Sequence, residues 1–184
     1  IHKMILNLHK EGVILCLCSK NNKKDVLDFI YNNPALNLNS DIFLVPETYQ
    51  QKKLKIYRSI KFPLKWKLHS TALKNLSTVD PTIIKTKKHF WLFANHMKEN
   101  INDFNKNLHL YKLDNLKFKN MTEHSKNPVI TSLNGGRSAG SIFKIGKKLI
   151  RPSQINKEYH YGYGLKLSII KEINLNNYNE KEIK

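Results

Sequence analysis

Residues 82–91, Thr82-Ile-Ile-Lys-Thr-Lys-Lys-His-Phe-Trp91, read as an apolar run, a tight basic turn and a second apolar run. The same order returns in Ser141-Ile-Phe-Lys-Ile-Gly-Lys-Lys-Leu-Ile150. Apolar and β-branched residues on both sides of a short polar turn mark an antiparallel hairpin, and the return of such a unit along one chain marks a repeat fold. The second strand of the unit recurs as Phe43-Leu-Val-Pro-Glu47, Phe90-Trp-Leu-Phe-Ala94 and Leu149-Ile-Arg-Pro-Ser153. A further module pairs Leu54-Lys-Ile-Tyr57 and Leu64-Lys-Trp66 with Leu108-His-Leu-Tyr111 and Leu116-Lys-Phe118, and Leu165 to Ile169 begins a third copy. Each unit then holds four antiparallel strands over about 50 residues, the dimensions of a propeller blade. The expected fold class is mainly β: a partial β-propeller of about three four-stranded antiparallel blades. An unrelated antiparallel sandwich is the alternative.

A blade buries its two faces only against neighbours, and a closed propeller needs at least about four of them. With about three, either the array is open and leaves an apolar blade face exposed near Asp41, or further blades belong upstream. The first residues differ in kind. Met4, Ile5 and Leu8 allow a short amphipathic helix, Val13-Ile-Leu-Cys-Leu-Cys18 reads as a buried strand, and Asp25 to Tyr31 reads as a helix stopped by Asn32-Asn-Pro34. The expected organisation is therefore a short α/β fragment (helix-strand-helix) over residues 1–38 and a partial propeller over 41–184. Two incomplete modules that meet without a Pro/Gly/Ser linker suggest a fused or incomplete gene product, and a chain that opens on Ile1 suggests a removed N-terminus or a fragment of a longer protein.

The chain has 184 residues, of which 40% are hydrophobic, enough for one ordinary domain with a core. Lys and Arg number 32 against 14 Asp and Glu, a formal charge of +18. That balance suits nucleic acid, an anionic membrane surface or an acidic polymer, but the positive charge is nearly all lysine, spread from Lys3 to Lys184 in the company of Asn and Ile. A solvated lysine surface is the simpler reading, and nucleic acid is not an expected partner. No apolar run approaches the roughly 20 residues of a membrane span, and the N-terminus does not frame a signal peptide. A soluble, cytoplasmic protein is expected. Cys16 and Cys18 fall on the same side of one strand, so no disulfide is expected.

Inner strands of a propeller start near its axis, so polar side chains at their ends converge from different blades. Five residues lie at strand ends in equivalent turns: Glu47, Asp80, Arg137, Arg151 and Gln154. Two carboxylates suit acid and base work on a glycosidic bond, while arginine and glutamine bind hydroxyls or acidic sugar groups. Arg137 stands out because lysine serves nearly everywhere else, and a guanidinium is chosen where a planar fork is needed. It lies in Asn134-Gly-Gly-Arg-Ser-Ala-Gly140, which leads into a strand rather than a helix; the loop is therefore not a phosphate cradle, and no cofactor is implied. His96 and His160 read as polar surface or turn residues, and no His/Cys spacing suggests a metal site.

The segments VPETYQQKKLKIYRSIKFPLKWKL (45–68), VDPTIIKTKKHFWLF (79–93), NGGRSAGSIFKIGKKLIRPSQ (134–154) and YGYGLKLSIIKEIN (161–174) resemble, in order, the five-bladed glycosidase-like propeller at the N-terminus of glucosamine inositolphosphorylceramide transferases. The same module is joined to formyltransferase-like domains in bacterial surface-polysaccharide genes. The resemblance implies carbohydrate-related work in surface polysaccharide or glycolipid biosynthesis. A glycan or sugar nucleotide would be the ligand, and a transferase domain or chain would be the partner that completes the blades. Glu47 and Asp80 would occupy acid-like catalytic positions, with Arg137, Arg151, Gln154 and Tyr161 binding substrate. The wider hydrolase relatives use three acidic residues on separate blades, and the blade that would supply the remaining aspartate is absent here, so catalysis by this chain alone is not expected.

Gly12-Val-Ile-Leu-Cys-Leu-Cys-Ser-Lys-Asn-Asn22 is similar to a motif of FkbH-like members of the haloacid dehalogenase superfamily. That resemblance implies phosphate binding by Ser19 and Lys20 and, as an alternative function, a phosphatase-like or acyl/glyceryl carrier-loading enzyme, here without its nucleophilic aspartate. Nucleic-acid binding by a basic protein is the further alternative.

Overall fold

The computed structural model describes residues 42–47, 51–62, 64–86, 89–97, 103–157 and 160–183. The N-terminal fragment, with Ser19 and Lys20, lies outside them. Three antiparallel sheets follow one another along the chain. The first joins β1 (Phe43–Leu44), β2 (Leu54–Lys61) and β3 (Lys65–Ala72). The second runs β4 (Thr78–Lys85), β5 (Phe90–His96), β6 (Asn107–Leu113) and β7 (Met121–Glu123), with β8 (Ile130–Thr131) also paired to β6. A short helix α1 (Asp103–Lys106) lies between β5 and β6. In the third, β9 (Asn134–Ser138) and β10 (Phe143–Ile145) share one edge of β11 (Lys148–Lys157), followed by β12 (His160–Ile173) and β13 (Tyr178–Glu182). These are three blades of a propeller, each sheet made of consecutive strands as a blade requires.

The repeat is carried in the register. Lys85 pairs with Phe90 and Ile84 with Trp91 in blade II, and the aligned residues Lys144 with Leu149 and Phe143 with Ile150 do the same in blade III. One expected strand is a loop instead. Leu116-Lys-Phe118 is irregular, and Met121–Glu123 supplies the fourth strand of blade II. Its apolar residues serve packing rather than pairing: Phe118 is buried with Leu54 and Ile56 of β2, Leu116 packs against the same cluster, and Ser70 Oγ donates to the Leu116 carbonyl at 2.7 Å. Asp80 and Arg137 also depart from the turns expected for them. Asp80 lies inside β4 where the register with β5 breaks between Val79 and Thr82, and Arg137 lies within β9.

Blade II is packed on both faces, which explains why β5 is buried almost throughout. Leu92, Ala94, Tyr111 and Leu113 meet Leu54, Ile56 and Ala72 of blade I. On the other face Trp91, Phe93, Leu108 and Leu110 meet Ile142 and Ile170 of blade III. Burying an aromatic side chain such as Phe93 contributes about 2–3 kcal/mol. His96, expected at the surface, is fully buried at the end of β5; its ring stacks on His109 at 3.7 Å and its Nε2 lies 3.2 Å from the Tyr111 hydroxyl. His160 is exposed at the start of β12. Among the described residues no helix is long and apolar enough to cross a membrane.

Candidate functional site

Blades II and III meet along β9, and the meeting is locked by backbone contacts that a larger side chain would prevent. A Cβ on Gly136 would collide with the Lys106 carbonyl at the end of α1, so only glycine lets β9 run this close. Asn95, fully buried on β5, fixes the strand from the other side. Its Nδ2 donates to the carbonyls of Asn107 (2.7 Å) and Gly136 (3.1 Å), and its Oδ1 accepts from the Ser138 amide at 3.1 Å. The residue between Gly136 and Ser138 is Arg137, whose backbone is therefore held on both sides.

The Arg137 side chain is engaged in three directions. Its Nε donates to Asp80 Oδ2 at 2.6 Å, its Nη1 donates to Asn105 Oδ1 at 2.8 Å, and its guanidinium lies 4.7 Å from the centroid of the Tyr161 ring. Asp80 meets it with a backbone φ of 47°, in the left-handed region that aspartate tolerates better than most side chains. Gln154 Nε2 donates to the Ser138 carbonyl at 3.2 Å and to the Tyr161 hydroxyl at 3.3 Å, placing the ring. Asn156 braces the far side: its Nδ2 donates to the Asn105 carbonyl at 3.3 Å and its Oδ1 accepts from the Gly162 amide at 2.7 Å. The Asp80 side chain stays 28% exposed and Tyr161 62% exposed, so the cluster opens to solvent. A carboxylate, a planar guanidinium, three amides and an exposed aromatic ring form a set that can hydrogen-bond paired hydroxyls and stack on a sugar's C–H face.

Four of the expected residues thus come together, Asp80, Arg137, Gln154 and Tyr161, and two stand apart. Glu47 is exposed just after β1 and takes no part in the polar contacts of the cluster. Arg151, expected to bind substrate, is fully buried. Its Nε and Nη2 donate to the two oxygens of Glu180 at 2.7 Å each, and Nη2 also donates to the Gly135 carbonyl at 2.5 Å. Tyr178 donates its hydroxyl to Glu180 at 2.5 Å. Burial alone would push Glu180 upward, but the Arg151 guanidinium outweighs it and holds the carboxyl below its ordinary value of 4.5. Burial likewise opposes the charge on Arg151 and Glu180 more than restores it, so Arg151 is raised. The physical reason for the different placement is register: Arg151 lies where it reaches Glu180 of β13 and Gly135 of β9, while Gln154 lies three residues further along β11, beside Tyr161 of β12. Among the described residues no group of three or more His, Cys, Asp or Glu is placed to hold a metal.

Asn95, Asn105 and Asn156 were not anticipated. Asn95 carried a signal, because asparagine is depleted in strands and here ends an otherwise apolar run, Phe90-Trp-Leu-Phe-Ala-Asn95. Asn105 and Asn156 lie in an asparagine-rich chain and carried none.

Comparison with known proteins places this arrangement. Among solved structures the fold is similar to the exo-β-1,3-galactanase of Phanerochaete chrysosporium, with a TM-score of 0.55 and 12% identity over 73% of this chain and 31% of that one. It is also similar to the Bacteroides ovatus protein described as Xyloglucan PUL GH43B, with a TM-score of 0.50 and 16% identity over 79% of this chain and 29% of that one. At such identities the likeness shows the propeller fold alone. Sequence relatives include glucosamine inositolphosphorylceramide transferase 1 of rice (Oryza sativa subsp. japonica), 29% identical over 143 residues, and that of Arabidopsis thaliana, 29% identical over 151 residues. These alignments take in 77% and 81% of this chain and 19% of each relative, so the chain spans about a fifth of their length. The family described as glucosamine inositolphosphorylceramide transferase 1, N-terminal, matches residues 27–184, beginning inside the segment that the sequence reading assigns to the N-terminal fragment. With its three blades and the polar seam between two of them, the chain belongs to that family.

Proposed function

We propose that the chain is a carbohydrate-recognising propeller module that presents a glycan or sugar nucleotide to a transferase domain or chain in glycolipid or surface-polysaccharide assembly. The observation that carries this reading is the Arg137 cluster, in which donors, acceptors and an exposed ring from two blades meet at one seam. Asp80 acts as an anchor: its Oδ2 is occupied by Arg137, and it orients the guanidinium toward hydroxyl or acidic sugar groups. Tyr161 supplies the stacking surface and Gln154 fixes the ring. The two relatives' names point to glycolipid work, and the family match covers the blades that build the seam. Recognition rather than bond cleavage is the role proposed, because among the described side chains the seam brings together one carboxylate and glycoside hydrolysis ordinarily uses a pair. Neither the phosphatase-like reading nor nucleic-acid binding draws support from these relatives.

Titration calorimetry against a panel of oligosaccharides and sugar nucleotides tests the proposal. Wild type should bind at least one of them, and Arg137→Ala should weaken that binding about ten- to hundred-fold while the melting curve shows a folded protein. A folded wild type that binds none of the panel refutes it.

A further inference from the structure

Blade I carries a surface that the sugar-binding reading does not use. Between Glu47 and Asp80 the sequence has eight Lys or Arg and no Asp or Glu. The even spread of lysine along the whole chain conceals this, because the local imbalance arises from missing acids rather than from clustered bases. In the structure much of that stretch forms the β2–β3 hairpin. Its base is core, with Leu54, Ile56 and Ala72 buried, but β1 reaches only as far as Arg58, and beyond Ser59 the hairpin projects past it. On this projecting part Ile60 is 58% exposed, Leu64 50% and Leu68 47%. On the same hairpin Phe62 and Trp66 pack edge-on at 5.9 Å. Lys61 and Lys65 face each other across the tip, and Arg58 faces Lys67, so the positive charge of the stretch is gathered on this hairpin. A recess of about 500 Å³ opens there, lined by Arg58, Ser59, Ile60, Lys67, Leu68 and His69.

We propose that the β2–β3 hairpin docks the chain on an anionic lipid surface, with its basic side chains on the lipid phosphates and Ile60, Leu64 and Leu68 entering the interface. Charge complementarity selects the occupant. A second copy of this face would bring two strongly basic hairpins together, which repel. A nucleic-acid backbone would match the charge but has no use for three exposed aliphatic side chains, whereas a membrane interface rewards lysine, aliphatic and tryptophan side chains side by side. The recess is large enough for one phosphate-bearing headgroup, with Arg58, Lys67 and His69 around it. No residue is shared with the Arg137 cluster, so the two proposals fail independently.

The test is co-sedimentation of the full chain with phosphatidylcholine vesicles, with or without roughly a third phosphatidylserine, read together with tryptophan emission. Wild type should pellet with the anionic vesicles, lose most binding as salt is raised to about 0.5 M, and shift its emission to the blue. The chain has two tryptophans and Trp91 is buried in the core, so that shift reports Trp66. Lys65→Gln/Lys67→Gln should lower partitioning about 25-fold, roughly five-fold per lysine. Leu64→Ser/Leu68→Ser should lower it by about a further order of magnitude and abolish the blue shift, with unchanged melting curves because the sites are exposed. Equal binding to neutral vesicles, partitioning that neither double variant changes, or a self-association that disappears with the leucines would each overturn it.

Discussion

Blade I and blade II are both antiparallel sheets of consecutive strands, three in the first and five in the second, yet blade II keeps its apolar side chains in and blade I leaves three of them out. In β5 of blade II six of seven residues are buried, whereas in β3 of blade I only Ala72 is, although Leu68 and Trp66 are as apolar as Leu92 and Trp91. The difference comes from neighbours. Blade II has blade I on one face and blade III on the other, so residues on both sides of its pleat find a core. The outer half of the β2–β3 hairpin extends past β1 and finds none among the described residues. Hydrophobicity in a repeat fold states what a side chain would gain by burial, and the stacking order decides whether it obtains it.

The contrast is sharpest where one side chain is removed from each blade. Phe93→Ala, which empties a fully buried site between blades II and III, should destabilise the chain by about 4 kcal/mol, read as a lowered urea midpoint at unchanged slope. If that midpoint hardly moved, the two-faced core of blade II would be wrong. Slightly smaller, at about 3 kcal/mol, is the expected cost of Arg151→Met, which leaves Glu180 buried without its partner. A pH series checks the same pair. Because the folded-state Glu180 is held below 4.5, its contribution is present above that pH and is lost as the pH falls below it, so wild type should weaken on acidification and Arg151→Met should lack that decline. At the other end Leu68→Ser, on the projecting hairpin, should change stability by less than about 0.5 kcal/mol. A cost comparable to that of Phe93→Ala would mean that something covers the hairpin in solution.

Much of the blade architecture was legible because the repeat is written in pairs that face each other. Matching Thr82–Trp91 to Ser141–Ile150 preserved cross-strand partners one by one, and a hairpin read correctly once is read correctly again. Leu116-Lys-Phe118 misled because an apolar doublet looks alike whether it pairs in a sheet or plugs a core from a loop. Arginine was a sound guide to polar seams but not to their depth. Arg137 and Arg151 both replace lysine where a planar fork is needed, and only the register of β11 separates the solvent-facing seam from the buried ion pair. His96 was misjudged for a related reason: its burial depends on His109 and Tyr111, which approach it across the sheet.

The contacts of Arg137 come from separate pieces of chain: Asp80 on β4, Asn105 on α1, Tyr161 on β12, with Asn95 of β5 gripping the backbone on either side. Sliding one blade against the other by a single residue step, about 3.3 Å, would break the ion pair and the amide contact together. The cluster works as a vernier: its contacts coincide only when blades II and III are aligned, so its integrity gauges the alignment of the two sheets that make it.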